Sequence, residues 1–550
     1  MKITIGDYLL KRLKELGIRH VIGVPGDYNL GFLDQIVNYE GLQWIGTCNE
    51  LNGAYAADGY ARINGASCMV TTFGVGELSA INGVGGSYAE YVPVIKIVGM
   101  PSLSTQERKA IVHHTLGGGD FNVFADMYSK VTESQALLTK FNAASEIDRV
   151  IRDCFIKKRP VYIGIPSDIT YHEIEVEDKP LDLSYPKSNP DAIQEAVERV
   201  AKLIENSKCP VILADICAIR HSMKPYIDAL IDKTGIHFAT MNMGKGIINE
   251  SHPLFIGNYN GDFSTEGVQK RVESSDCIIS IGTVLSDFNT GGFTAKLNVN
   301  VTLEIHSNYV QIKHSVYPDL YFVDFFPNLT TRLSKTEFST KVEKSQSPPY
   351  TPREIPITQV RFWQRISDYL EKNCVVIAET GTSMFGSLPM PIPDDTKFIA
   401  QTLWGSIGYS VGATLGTCLA APDRQTLLFV GDGSFQLTGQ EVSTMIRQRL
   451  KPIIFLINND GYTIERVIHG PTMIYNDIQM WDYVNLPKIF GNDIIWTTKV
   501  SNELELEAAL EETKKHPEKL RFIEVIMDRD DSPEILKRIG KACAEANKYG

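Results

Sequence analysis

Ten short runs of apolar residues, none alternating with polar ones, set the strongest limit on what this chain folds into. They occupy 20–24, 68–72, 94–98, 161–165, 211–214, 277–281, 375–378, 427–430, 453–457 and 522–526. A strand with one wet face alternates apolar and polar residues, whereas a strand apolar throughout is covered on both faces. Between the runs the apolar residues recur at helical spacing, so strands and helices take turns along the chain. That alternation predicts parallel sheets and an α/β fold class. At 550 residues the chain is too long for one core, since domains usually hold roughly 100–200 residues. Two stretches read as linkers: 171–191, with Pro180, Pro186 and Pro190, and 339–356, with the run SQSPPYTPREIP. The expectation is three domains of parallel sheet flanked by helices, over 1–180, 190–340 and 355–550.

Charge and composition narrow the partners. Lys and Arg number 54 against 66 Asp and Glu, a net charge of -12, which offers nothing to nucleic acid or an anionic membrane in general. Nine scattered cysteines without a CxxC pair point to a reducing, cytoplasmic setting. The N-terminal segment MKITIGDYLLKRLKELG spaces Ile5, Leu9, Leu13 and Leu16 as a helix among charges and stops at Gly17, unlike a signal peptide. The segment 403–421 is rich in Gly, Ser and Thr and reads as a loop plus a buried helix rather than a span. No short-period repeat occurs, which excludes solenoids and propellers.

The most informative pattern is Gly431-Asp432-Gly433-Ser434 followed by Asn458-Asn459-Asp460-Gly461, each directly after an apolar strand. Asn459 lies 28 residues beyond Gly431, room for the helix of a βαβ unit. Asp432 and Asn459 should therefore emerge at neighbouring strand ends, where ligands of such sheets bind. Their oxygens suit Mg²⁺, which prefers hard donors and completes its shell with phosphate oxygens. Glycines and helix starts beyond them suit a diphosphate. A dinucleotide fingerprint is the weaker reading, because 74–79 lacks the last glycine of GxGxxG.

This pattern resembles the thiamine diphosphate motif, which begins GDG and ends NN. The resemblance implies that Asp432, Asn459 and the Gly461 carbonyl hold the metal, and that Gly433, Thr382, Ser434 and Thr463 meet the diphosphate. Thiamine enzymes also need a carboxylate that shares a proton with the aminopyrimidine ring. Glu50 stands at a strand-to-helix turn, opening the helical pattern NELNGAYAADGYAR. Tyr55, Ala54 and Ala56 around it are expected to limit its solvation. In Trp404-Gly405-Ser406-Ile407-Gly408-Tyr409, similar to the loop that bends the cofactor, Ile407 would wedge between its rings and the Gly405 carbonyl would accept from its amino group.

The resemblance runs from GVPGDYN at 23–29 to Ala544-Glu545-Ala546-Asn547. It is closest to the 2-oxo acid decarboxylase family, which covers pyruvate, indolepyruvate, phenylpyruvate and branched-chain enzymes. It implies non-oxidative loss of CO₂ through a thiamine-bound enamine, which must be protonated before an aldehyde leaves. Asp27, His113, His114 and Glu465 match the positions that manage those protons, a task for His and shifted carboxyls. Phe288, Met384, Phe385, Ile464 and Ile539 are the implied substrate pocket. Its bulk favours a small substrate, pyruvate first, with branched-chain, long-chain or aromatic 2-oxo acids as alternatives. An acetolactate synthase-like carboligase is a more distant alternative, disfavoured by the His pair and Glu465, and an inert scaffold is a third. Family chains work as homodimers at least, commonly as homotetramers. Cys217 resembles a position linked to substrate activation, but the expected His partner is Tyr91 here, so a merely buried thiol is the stronger expectation.

Overall fold

A computed structural model describes residues 1–265, 267–334, 338, 349–491 and 494–547. Residues 339–348 of the second expected linker lie outside the described residues. All ten apolar runs form strands, and every one pairs in parallel with its neighbours, apart from one antiparallel edge beside the middle sheet.

The first and last sheets have the same topology. In the first, the order is Gln43–Gly46, His20–Gly23, Ser67–Thr72, Val94–Met100, Val161–Pro166, Gln135–Leu137. In the last, it is Lys397–Ile399, Val375–Ala378, Thr426–Gly431, Ile453–Asn458, Leu520–Ile526, Ile495–Val500. Each runs 2-1-3-4-6-5 in its own chain order. The chain reverses direction between strands 1 and 3, which opens a crevice at their carboxyl ends. The middle sheet has seven strands, the last two antiparallel (Tyr309–Ile312 and Ser315–Pro318).

Alternation explains the unbroken apolar runs. Met69, Val94 and Val98 of the first sheet face one core, while Val70, Ile95 and Ile97 face another. Successive side chains of a strand point to opposite faces, so both faces must be apolar. The inner core of the first sheet is continuous with that of the last, through Leu428, Val430, Ile454 and Leu456. Between the sheets lie the helices Glu50–Asn64 and Tyr409–Ala420, the latter buried along nearly its whole length as its small residues predicted. A Cβ at Gly416 would strike the Ala56 carbonyl oxygen, so the two backbones approach as closely as glycine allows. The middle sheet keeps a core of its own.

Candidate active site

The crevice of the last sheet carries the GDG and NN turns. Strand Thr426–Gly431 delivers Asp432, and strand Ile453–Asn458, its direct neighbour, delivers Asn459. Asp432 is fully buried; its Oδ1 accepts from Gly433 N at 2.8 Å and its Oδ2 from Gly461 N at 3.0 Å. The Asn459 amide oxygen lies 3.2 Å from both Asp432 Oδ1 and the Gly461 carbonyl oxygen, and its nitrogen 3.0 Å from Thr463 Oγ1. Three oxygen acceptors then face one another with no donor between them. Turned over, the amide donates to Asp432 Oδ1 and the Gly461 carbonyl and accepts from Thr463 Oγ1; with a hard cation among the oxygens the first arrangement would be the favoured one. Burial pushes the Asp432 carboxyl up to about 6, a shift that a neighbouring cation reverses.

A narrow cavity continues from these oxygens along Thr382, Ser383, Gly433, Ser434 and Thr463. The Ser383 hydroxyl is buried without a hydrogen-bond partner. An orphaned donor facing a cavity of glycines and hydroxyls fits the oxygens of a diphosphate. Thr463 Oγ1 is partly committed, donating to the Arg529 carbonyl at 3.0 Å. Ser383 was not singled out in sequence reading, although it stands in the same AETGTS segment as Thr382.

The loop 404–409 is pinned beside this cradle. Ser406 Oγ lies 2.6 Å from the Tyr55 hydroxyl, Ser406 N donates to Gln401 Oε1 at 2.8 Å, and Trp404 Nε1 donates to Asn82 Oδ1 at 2.9 Å. Glu379, buried at the end of strand Val375–Ala378, accepts from Gly408 N at 3.2 Å and from Ser410 Oγ at 2.7 Å. Its burial pushes the carboxyl up to about 7. Gly405 takes a φ of +63°, and among the described residues no hydrogen bond ends on its carbonyl. Ile407 is only half-buried. Glu379 and Gln401 were invisible as loop-holders in the sequence, because what they hold follows from tertiary contact.

The crevice of the first sheet gathers the proton-bearing residues. His113 Nε2 lies 2.5 Å from Asp27 Oδ2, and His114 Nε2 lies 3.7 Å from Asp27 Oδ1. Tyr28 stacks on His113 at 5.0 Å between ring centroids. His114 sits at φ +62°, a strained position for a residue with a side chain. Its carbonyl packs where Gly74, at φ +65°, has no Cβ. Gly74→Ala is therefore expected to displace His114 and lower kcat by about a hundredfold, the cost of a misplacement near one ångström. Unchanged kcat in a folded Gly74→Ala protein would refute the coupling.

Glu50 opens the helix Glu50–Asn64, capped by Asn49. Ala54, one turn beyond Glu50 on the same helix face, is buried with Tyr55 and Ala56 in the core between the first and last sheets. Glu50 Oε1 faces the spot where Gly76 lacks a Cβ, together with the Thr71 and Thr72 side chains. Glu50 is half-buried and Glu465 exposed in the single chain. Among the described residues no hydrogen bond or ion pair joins Glu50, Asp27, His113 or His114 to Asp432, Asn459 or Glu465. The two groups stand on separate sheets of the chain. The pocket residues do converge: Phe288, Met384, Phe385, Ile464 and Ile539 share one apolar cluster, with Phe288 edge-on to Phe385 at 5.6 Å. Cys217 is buried beside Tyr91, and burial pushes its thiol up to about 12, which makes it a packing residue rather than a nucleophile.

The two sheets share one topology; one carries the GDG and NN turns, the other Asp27 beside a histidine pair, and family matches over both place them in a thiamine-dependent enzyme. Three family models match along the chain: the N-terminal TPP binding domain of thiamine pyrophosphate enzymes at residues 3–120, their central domain at 197–331, and their C-terminal TPP binding domain at 380–525. The chain is 44% identical to a pyruvate decarboxylase of Kluyveromyces marxianus, covering 99% of each. It is 45% identical to one of Aspergillus fumigatus, covering 99% of this chain and 98% of that one, and 43% identical to pyruvate decarboxylase isozyme 3 of Saccharomyces cerevisiae, covering 99% of each. The chain belongs to the thiamine pyrophosphate enzyme family, in which its full-length relatives are pyruvate decarboxylases. No helix among the described residues is long and apolar enough to cross a membrane.

Proposed function

We propose that this protein is a Mg²⁺- and thiamine diphosphate-dependent lyase that converts a 2-oxo acid, pyruvate in preference, to the aldehyde and CO₂. The observation that carries the reading is the Asp27–His113–His114 cluster, placed at the same sheet end as Glu50. A decarboxylase must return a proton to carbon after CO₂ departs, and this cluster is built to hold one.

Asp432, Asn459 and the Gly461 carbonyl would hold Mg²⁺; Thr382, Gly433, Ser434 and Thr463, joined by Ser383, would hold the diphosphate. Bound thiamine diphosphate supplies the electron sink that takes up the pair left by the departing carboxylate. Glu50 would exchange a proton with the pyrimidine nitrogen, the Gly405 carbonyl would accept from the ring amino group, and Ile407 would pack against the bound molecule. Asp27 Oδ2 orients His113 through Nε2, and His114 and Glu465 would complete proton delivery to the reacting carbon. Low solvation in the apolar pocket disfavours a charged carboxylate and aids its loss.

The half-sites meet across a homodimer, so that Glu50 of one protomer serves the metal of the other, within a dimer or homotetramer. Supporting this, Ile474 is 83% exposed and Tyr475 58%, an apolar patch just beyond the metal loop that suits a protein interface. A cytoplasmic setting accords with the scattered free thiols.

A panel of 2-oxo acids, assayed by aldehyde release with added cofactor and Mg²⁺, tests the reading. Pyruvate is expected to give the highest kcat/KM. Phe288→Ala should raise kcat/KM for 2-oxoisovalerate relative to pyruvate by at least about tenfold, since each methylene in a fitted pocket is worth about 1–3 kcal/mol. A native preference for phenylpyruvate over pyruvate by more than about tenfold would remove pyruvate and leave the decarboxylase chemistry standing.

A further inference from the structure

Phe288 reaches the apolar cluster around Phe385 from another domain. It follows strand Cys277–Ile281 of the middle sheet, in a stretch from 282 to 301 that contains neither helix nor strand. Met384, Phe385 and Ile539, against which it packs, belong to the last domain. Without a ladder or a helix, the backbone there must find its hydrogen bonds one by one.

Two buried asparagines supply them. Asn289 is fully buried. Its Nδ2 donates to Asp215 Oδ2 and to the Val284 carbonyl, both at 2.7 Å, and its Oδ1 accepts from Met243 N at 3.1 Å. Asp215, buried just beyond strand Pro210–Ala214, also accepts from Val284 N at 2.9 Å. Asn242, buried just beyond strand His237–Thr240, donates through Nδ2 to the Phe288 carbonyl at 2.7 Å. A carbonyl only accepts, so the atom facing it is the nitrogen. The Asn242 oxygen is buried without a hydrogen-bond partner. An unmade bond in the interior destabilises the fold, whereas a leucine of nearly the same shape would leave none. The bond to Phe288 is thus the physical reason for an amide at this position.

The Phe288 carbonyl is held by Asn242, and the next residue is held at both atoms of its amide. The backbone cannot shift, and the ring keeps only its two side-chain torsions. Its edge-on contact with Phe385, 5.6 Å between centroids, limits those in turn.

We propose that Asn242 is a specificity-determining positioning residue: by holding the Phe288 carbonyl it sets how far that ring reaches into the pocket, and so how bulky a 2-oxo acid enters. The proposal rests on the reading of Phe288 as a wall of the substrate pocket. Without the bond the segment can swing away from Phe385. A branched 2-oxo acid gains the room, and pyruvate, with its single methyl group, has no use for it.

The test measures kcat/KM for 2-oxoisovalerate and for pyruvate by aldehyde release, in the protein loaded with thiamine diphosphate and Mg²⁺. The ratio of the two is the readout, because a loss of folded protein lowers both alike. Asn242→Leu keeps the bulk and removes the donor. It is expected to raise the ratio by about fivefold, less than removal of the ring itself should give, with the gain in KM for the branched acid. Added to Phe288→Ala it should change nothing further, since two changes acting through one ring are not additive. A ratio unmoved in Asn242→Leu, while Phe288→Ala raises it, overturns the proposal and leaves the pocket reading in place. A ratio that Asn242→Leu raises equally with the ring present and absent also overturns it, because Asn242 then acts elsewhere. A ratio unmoved in Phe288→Ala overturns the pocket reading, and the proposal with it. Should Asn242→Leu fail to fold, Asn242→Ser, whose hydroxyl falls short of the Phe288 carbonyl, decides by the same ratios.

Discussion

Glu50→Gln is expected to lower kcat by at least about a hundredfold, the scale of a general acid–base group, while the melting curve stays unchanged. Glu50 makes no hydrogen bond or ion pair among the described residues, and its helix is capped by the Asn49 side chain, which accepts from Asn52 N. Gln keeps the shape and removes the titratable proton, so the loss should fall on turnover and on C2 proton exchange together. Near-normal kcat in a protein that melts normally would refute the assignment.

Asp432→Ala should be equally severe, by another route. The carboxylate is the sole formal charge among the three oxygens that face one another at the NN turn, and its removal leaves the Asn459 amide free to turn over and bond to Gly461. A Mg²⁺ held there would also engage the diphosphate, so both ligands should be lost together. Calorimetry is expected to show cofactor affinity weakened by at least about a hundredfold, or roughly 2.7 kcal/mol. The wild type should show the same chemistry with pH. Burial pushes the Asp432 carboxyl of the metal-free chain up to about 6, so protons compete with the cation and metal retention should weaken as pH falls, with a midpoint set by free Mg²⁺. The cation competes with the proton for one carboxylate, and a tenfold rise in free Mg²⁺ should carry the midpoint lower by up to about one unit. Cofactor affinity unchanged in Asp432→Ala, or retention flat across this range, would remove Asp432 from the metal.

The sequence by itself determined the strands, the fold class and the meeting of the GDG and NN turns, because these are local signals. A strand covered on both faces is apolar at every position, and Ile453–Asn458 needs no distant partner to reveal that. The GDG and NN turns were equally legible, since each follows its strand directly and the βαβ unit brings them together. Other features depended on contacts between distant segments. The Tyr55–Ser406 contact joins residues 351 apart, and no periodicity encodes it. Glu50's approach to Gly76, Thr71 and Thr72 was likewise not legible in its own helix, because those residues come from other elements. The strain at His114 depends on Gly74, and the orphaned Ser383 hydroxyl on a cavity between two strand ends. Local pattern sets which elements form; the packing of two identical sheet topologies on one core decides which side chains confront each other, since burial and charge act through space rather than along the chain.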